Sequence, residues 1–388
     1  MNQLPKKLQK KLDNREESNA LRSLGSATNL IDFSSNDYLG FSTSEKIYES
    51  ASEIVKKASF QKNGATGSRL LSGNNQVYMD TEVLVSNFHD SKAALIFNSG
   101  YDANIGFFGS VPQRGDVIFY DELIHASIRD GITMSQAKGF KFKHNDLNDL
   151  EQRCRKEKGS TPDSSEIYIV TESVFSMDGD SPDLKRLSEF CSKNNYHLIV
   201  DEAHALGVIG QGRGLIQELG LESQVFARIV TFGKALGCHG AAVLGSADLK
   251  TYLVNFARSF IYTTALAPHS VATISAAYEL LKTNQQKEED QTIKRLNRNI
   301  AMFRFYVKMY ALEGSFIESA SAIHCCLISG NDRVREVSEE LNKNGFNVKP
   351  ILSPTVTEGK ERLRICLHSF NKEVEIEKLV KLLATFIK

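Results

Sequence analysis

The sequence predicts an α/β protein: a large domain built on a doubly wound, mostly parallel sheet, followed by a small C-terminal α+β domain. Three observations lead there. Short apolar runs alternate with helical patterns through most of the chain, as parallel strands joined by crossover helices do. Several of these runs end in polar or glycine-bearing turns, where open α/β sheets bind their ligands. Beyond about Lys282 a charged helical stretch gives way to a different strand pattern.

The elements follow in order. Lys and Glu interleave with Leu4, Leu8, Leu12 and Leu21, which predicts an amphipathic helix and arm over residues 1–45 and lacks the apolar core of a secretion signal. The large domain, 46–281, holds strand candidates at Ala93–Phe97, Val117–Tyr120, Ile167–Val170, His197–Val200, Ile229–Phe232 and Ala241–Leu244. After the charged helical stretch from Lys282 to Arg304, Ile323–Ile328, Val348–Leu352 and Leu363–Leu367 read as strands of the small domain, 282–388. No internal repeat or low-complexity linker interrupts the pattern.

Composition sets the outer limits. The chain has 388 residues, 41% of them hydrophobic, enough for a substantial core. Lys plus Arg equal Asp plus Glu at 47 each, so no overall field gathers nucleic acid or an anionic membrane. No apolar run approaches the roughly 20 residues that span a bilayer. The six cysteines, Cys154, Cys191, Cys238, Cys325, Cys326 and Cys366, show no metal-ligand spacing and read as buried free thiols in a reducing cytoplasm; no metal site is expected.

Two motifs carry the chemistry. Lys234, in Thr231–Gly237, lies thirty-three residues after Asp201, and both follow apolar strands. If those strands are parallel neighbours, both residues open onto one crevice. An amine held among apolar groups loses its proton more easily, so Lys234 suits condensation with an aldehyde such as pyridoxal phosphate. Asp201 would pair with the pyridinium nitrogen, making the ring an electron sink, and His204 would donate to its phenolic oxygen. Taken singly, a lysine in a loop is a solvated charge and an aspartate after a strand is a cap. A phosphate loop is excluded: the glycine six places before its lysine is Arg228 here, and the following hydroxyl residue is Ala235.

Other strand ends offer ligands. Backbone amides of Gly100 and Tyr101 suit a phosphate at a helix N-terminus. His125 suits stacking on a flat ring, and Ser176 offers a polar contact. Asp178–Asp180 reads as a turn, because Pro182 and Asp183 stand where a calcium loop wants a ligand and a glycine. The glycine-rich Gly207–Gly214 reads as a tightly turning loop.

Seven ordered motifs span nearly the whole chain: FSSNDYLG at Phe33–Gly40, GSRLLSG at Gly67–Gly73, FNSGYDAN at Phe97–Asn104, DELIHASIRDG at Asp121–Gly131, TESVFSMDGD at Thr171–Asp180, VDEAHALG at Val200–Gly207 and TFGKALG at Thr231–Gly237. Together they resemble the pyridoxal-phosphate-dependent α-oxoamine synthases. The resemblance implies an aminotransferase-like (fold type I) architecture. It also implies roles: Lys234 as the Schiff-base lysine, Asp201 as pyridinium partner, His204 as phenolic-oxygen contact and His125 as ring stacker. Gly100, Tyr101 and Thr231 would meet the phosphate region, with Ser176 nearby. Arg364 would bind the amino-acid carboxylate, for which its planar fork is suited, and Asn36 and Thr355 would lie near the substrates.

The implied reaction is a decarboxylative condensation of an amino acid with an acyl-CoA or acyl-carrier thioester. FSSNDYLG, DEAHALGVIG and Arg22, which matches an arginine at the pimeloyl end, resemble the branch of biotin synthesis that uses L-alanine. Glycine-using relatives are the alternative, with a fold type I aminotransferase or a non-enzymatic binding protein behind them. Tyr78 and Thr81–Glu82 depart from the family's usual His and Leu-Glu after SGN. In this family the active site is shared across a homodimer, with the region of Thr263 and Thr264 reaching the partner's cofactor.

Overall fold

Apolar runs just long enough for one strand, separated by turns and amphipathic helices, build a sheet with helices on both faces. The computed structural model describes residues 4–22, 24, 29–158, 164–286 and 292–387. Its strands, in chain order, are β1 (Ile31–Asp32), β2 (Ala93–Phe97), β3 (Val117–Asp121), β4 (Lys138–Phe142), β5 (Ile167–Glu172), β6 (His197–Asp201), β7 (Ala227–Thr231), β8 (Ala241–Gly245), β9 (Ile323–Leu327), β10 (Phe346–Asn347), β11 (Lys349–Ile351) and β12 (Arg362–Cys366). The described chain divides into two compact units. The larger takes Asn36–Ser176 and Ser181–Lys294; the smaller takes Met1–Ser35, Met177–Asp180 and Arg295–Lys388.

In the larger unit seven strands form one sheet in the order β2-β8-β7-β6-β5-β3-β4. Pairing is parallel from β4 through β7, while β8 runs antiparallel to both β7 and β2. Strand direction is not written in apolar periodicity, so β8 is visible in the sequence but its orientation is not. The sheet is buried on both faces, as parallel sheets are. In β6, Ile199 joins an apolar cluster with Phe107, Ile128 and Ile229, whereas Leu198 and Val200 join the opposite one with Leu187 and Ile216. β4 escapes sequence reading because it is an edge strand with exposed lysines, which protect an edge from further pairing. β7 begins two residues earlier than its apolar run, with the charged Arg228 buried inside it.

In the smaller unit β12 lies between β9 and β11, antiparallel to both, and β1 pairs in parallel with β10. Leu363 and Ile365 are fully buried, as are Val334 and Leu341 of the helix Asn331–Lys343 and Leu379 and Leu383 of the helix Glu373–Ile387. The N-terminal helix forms over Lys6–Glu17, and Leu4, Leu8 and Leu12 are exposed. The charged stretch after Lys282 divides into the end of one helix, Pro268–Gln286, and the start of another, Thr292–Met309, with residues 287–291 outside those described. No helix among the described residues is long and apolar enough to cross a membrane.

Candidate active site

The carboxyl ends of β5, β6 and β7 place Glu172, Asp201 and Thr231 along one rim of the large sheet, with Lys234 in the turn after β7. Because β8 reverses direction, β2 ends at the same rim: Phe97 and Thr231 both pair with Ala241. The helix Gly100–Phe108 starts there. Ser99 caps it, its Oγ accepting from the Asp102 N–H at 3.0 Å. The first N–H groups of a helix have no partner within it and carry the positive end of its dipole, so Gly100 and Tyr101 present an anion site. A Cβ on Gly100 would lie 2.7 Å from Thr231 Oγ1, so glycine lets the hydroxyl and the helix start share one small space. Tyr101 uses its side chain elsewhere: its hydroxyl donates to Asp130 at 2.6 Å.

Lys234 Nζ lies 2.7 Å from His204 Nε2, and His204 Nδ1 lies 2.7 Å from the hydroxyl of Tyr38, which donates to Asn36 Oδ1 at 3.2 Å. With the tyrosine proton on Asn36, a neutral imidazole satisfies this chain in one direction: Lys234 donates to Nε2 and Nδ1–H donates to Tyr38. Tyr38 is fully buried and His204 nearly so. Asp201 is held on both oxygens, by the Asn104 amide at 3.0 Å and the Ala203 N–H at 2.9 Å. Beside it, Asn104 Oδ1 is buried with no hydrogen-bond partner among the described residues. A buried carboxylate next to an unfilled acceptor suits a cationic N–H group.

His125 is the N-cap of the helix Ala126–Met134; its Nδ1 accepts from the Ser127 N–H at 3.2 Å and lies 2.7 Å from Ser127 Oγ. Its outer face meets solvent, yet desolvation holds its pKa below the ordinary histidine value; Asp201 pulls upward and Lys234 downward. Its backbone N–H donates to Glu172 Oε1 at 2.5 Å. Burial, reinforced by Asp201, pushes Glu172 up to about 8 against the pull of Lys234. Near neutrality Glu172 is therefore mostly protonated. Ser176 is half-buried after β5. Asn98 donates to Thr263 Oγ1 at 3.1 Å and to the Thr264 carbonyl at 2.6 Å, which ties that segment to the end of β2. A Cβ on Gly237, whose φ is +59°, would lie 2.1 Å from the Ser42 nitrogen, so the Lys234 turn rests backbone to backbone on residues 41–42.

The remaining candidates belong to the smaller unit. Arg22 Nη2 donates to Thr355 Oγ1 at 3.2 Å, and both side chains are exposed. They line a groove of about 650 Å³ with Arg15, Leu21, Arg335 and Lys349. Arg364 is buried on β12, with Nη1 on Cys366 Sγ at 2.9 Å. Asp178 forms an ion pair with Arg362, which anchors the 178–180 turn. All six cysteines are unlinked, and five are buried.

Tyr38, Asn104 and Glu172 are the residues that sequence reasoning passed over. Each sits inside a quoted motif, NDYLG, GYDAN and TES, but their partners are remote in sequence: Tyr38 and His204 are 166 positions apart, Asn104 and Asp201 97.

Residues 28–383 match the family described as aminotransferase class I and II. The chain is 40% identical over 371 residues to the 8-amino-7-oxononanoate synthase of Emericella nidulans, covering 92% of this chain and 89% of that one. It is 35% identical over 401 residues to the enzyme of the same name from Saccharophagus degradans, covering 99% and 97%. Its fold matches the crystal structure of 8-amino-7-oxononanoate synthase from Francisella tularensis with a TM-score of 0.75 at 29% identity, over 92% and 98% of the two chains. Serine palmitoyltransferase of Sphingomonas wittichii shares the fold at a TM-score of 0.88 and 24% identity, over 99% and 98%. The chain belongs to the aminotransferase class I and II family, within its pyridoxal-phosphate-dependent α-oxoamine synthase branch.

Proposed function

We propose that the Lys234 cluster is the catalytic centre of an 8-amino-7-oxononanoate synthase. The reaction condenses L-alanine with a pimeloyl thioester and releases carbon dioxide and the free thiol carrier, in biotin synthesis. The observation that carries this reading is the Lys234–His204–Tyr38 chain beside a buried Asp201, in a protein 40% identical to a curated synthase of that name.

The residues fit pyridoxal phosphate. Gly100, Tyr101 and Thr231 would hold its phosphate, Asp201 its ring nitrogen, His125 its ring face and Lys234 its aldehyde carbon, with His204, Ser176, Thr263 and Thr264 completing the shell. When bound, the cofactor supplies an electron sink for charge that builds on the substrate α-carbon. Lys234 takes and returns the α-proton, as a positioned amine with a neutral hydrogen-bond partner can. His204 keeps Nζ aimed, and Tyr38 fixes the imidazole tautomer. The Asn104 amide and the Ala203 N–H hold both oxygens of Asp201 in place beside the ring site, while the protonated Glu172 carries no competing charge. We assign Arg364 to the amino-acid carboxylate, Asn36 to the substrates, and Arg22 with Thr355 to the acyl end.

A homodimer is part of the reading. Leu70, Leu71, Met79, Val83 and Tyr262 are exposed apolar residues of the larger unit. The turn carrying Leu70 and Leu71 packs on the helix Arg258–Ile261, which Tyr262 follows. A single-copy mass in light scattering at micromolar concentration would remove the dimer.

The deciding experiment loads the protein with pyridoxal phosphate and titrates L-alanine, then glycine, against pimeloyl-CoA and shorter acyl-CoAs. Visible absorbance and released thiol are followed together. Thiol release that needs L-alanine and the pimeloyl chain supports the assignment. Release with glycine and a short chain alone moves the protein to the glycine-using branch, and absence of a visible band overturns the catalytic reading.

A further inference from the structure

Asp201 and Glu202 are consecutive carboxylates with opposite surroundings. Successive side chains at a strand end face opposite sides of a sheet. Asp201 faces Asn104, whereas Glu202 faces the side of Val200 and meets Arg228, which the β6–β7 register sets opposite Val200. Glu202 and Arg228 are 0% and 3% exposed. Glu202 Oε2 accepts from Arg228 Nε at 2.7 Å, and Oε1 accepts from the Ile216 N–H at 3.0 Å. Arg228 also donates to the carbonyls of His89 and Arg213, each at 3.1 Å.

The glycine-rich Gly207–Gly214 segment is wrapped around this pair. Gly214, with φ +108°, would put a Cβ 2.7 Å from Glu202 Oε1, so a side chain there would strike the carboxylate. The Ala205 and Leu206 N–H groups both donate to the Glu202 carbonyl at 3.0 Å, closing the turn that carries His204. At the far end of that turn, Gly207 would put a Cβ 2.5 Å from the Cβ of Ala235, the neighbour of Lys234. The pair, the turn and the lysine loop are thus in continuous contact.

A buried ion pair is a poor source of stability, since apolar residues of similar volume often do as well, whereas removing one partner leaves a costly lone charge. We propose that Glu202 and Arg228 are positioning residues: their pairing sets the 201–207 turn so that His204 meets Lys234 and Tyr38. The inference rests on the reading of His204 and Lys234 as site residues, but its test does not need the cofactor.

The test uses the full chain carrying Glu202→Met together with Arg228→Met, which leaves no unpaired buried charge, and Glu202→Gln as a second variant. The histidine rings are labelled with 15N, the His204 signal is assigned with His204→Gln, and its protonation is followed against pH by NMR alongside the melting temperature. The expected result is a melting temperature close to the parent's, with the His204 midpoint moved by about half a pH unit, roughly threefold in proton affinity. His197, at the start of β6, should not move. An unmoved His204, or equal movement of His197, overturns the proposal whatever the melting temperature does. If the double variant does not fold, Glu202→Gln is read by the same two criteria. A parent that takes up pyridoxal phosphate without a visible band overturns the proposed function and leaves this readout intact.

Discussion

Asp201, His204 and Tyr38 are buried in the larger unit, each bonded to partners far along the chain, whereas Arg22 and Thr355 of the smaller unit are exposed and share one hydrogen bond of 3.2 Å. A buried polar atom that loses its partner bears the whole desolvation cost, while an exposed pair exchanges its bond for water at little cost. The groups assigned to the reaction are therefore locked in place, and those assigned to the acyl end remain adjustable.

That contrast breaks most sharply at Lys234. Lys234→Ala should still fold, because the lysine's assigned role is covalent and its side chain is only half-buried. Turnover should drop by about a thousandfold or more with loss of the proton carrier, and borohydride should no longer trap the cofactor on the protein. Retained turnover would remove Lys234 from the mechanism. Asp201→Asn keeps the local shape but not the charge, so turnover should fall by about a hundredfold, an electrostatic loss of roughly 3 kcal/mol. An unchanged rate in the cofactor-loaded variant would count against the proposed ion pair. On the exposed side, Arg22→Ala should raise the acyl-donor KM by about tenfold, the loss of one charge-assisted hydrogen bond, and leave kcat unchanged. A fall in kcat with KM constant would mean that Arg22 acts in the reaction rather than in binding.

How much of this was legible in the sequence follows the same division. Lys234, Asp201, His204 and His125 stand at the ends of strands or strand-like runs that apolar patterning reveals, and the motifs around them name the family. Asn104 and Tyr38 were not singled out, since their importance comes from partners that only the folded sheet brings near. β4 was hidden by its lysines, and the first residues of β7 by Arg228, whose charge looks like a strand boundary until Glu202 is seen against it. Thr355 and Arg22 are 333 positions apart, and no periodicity anticipates their hydrogen bond.

The smallest expected effect concerns pH. Glu172 is pushed up to about 8 in the folded chain against 4.5 for the free side chain, so the folded state keeps a proton that the unfolded state releases. Its stabilising contribution is full below about 4.5 and is lost as pH rises through about 8. Glu172→Gln is neutral throughout and keeps an acceptor for the His125 N–H. Between pH 5.5 and 8.5 the parent's melting temperature should therefore fall by about 2–4 °C more than the variant's. Parallel curves would place the Glu172 titration outside this range.

Gly237 imposes a different kind of limit. With its backbone against that of residues 41–42, it makes the lysine turn and the segment just after Tyr38 one mechanical part, although nearly two hundred positions separate them in the chain. A lineage drifting by single substitutions can vary Gly233, where the nearest atom to a new Cβ is 3.4 Å away, without disturbing that joint. At 237 every other residue forces the two segments apart, so this joint is closed to single substitutions while the neighbouring position 233 stays open to them.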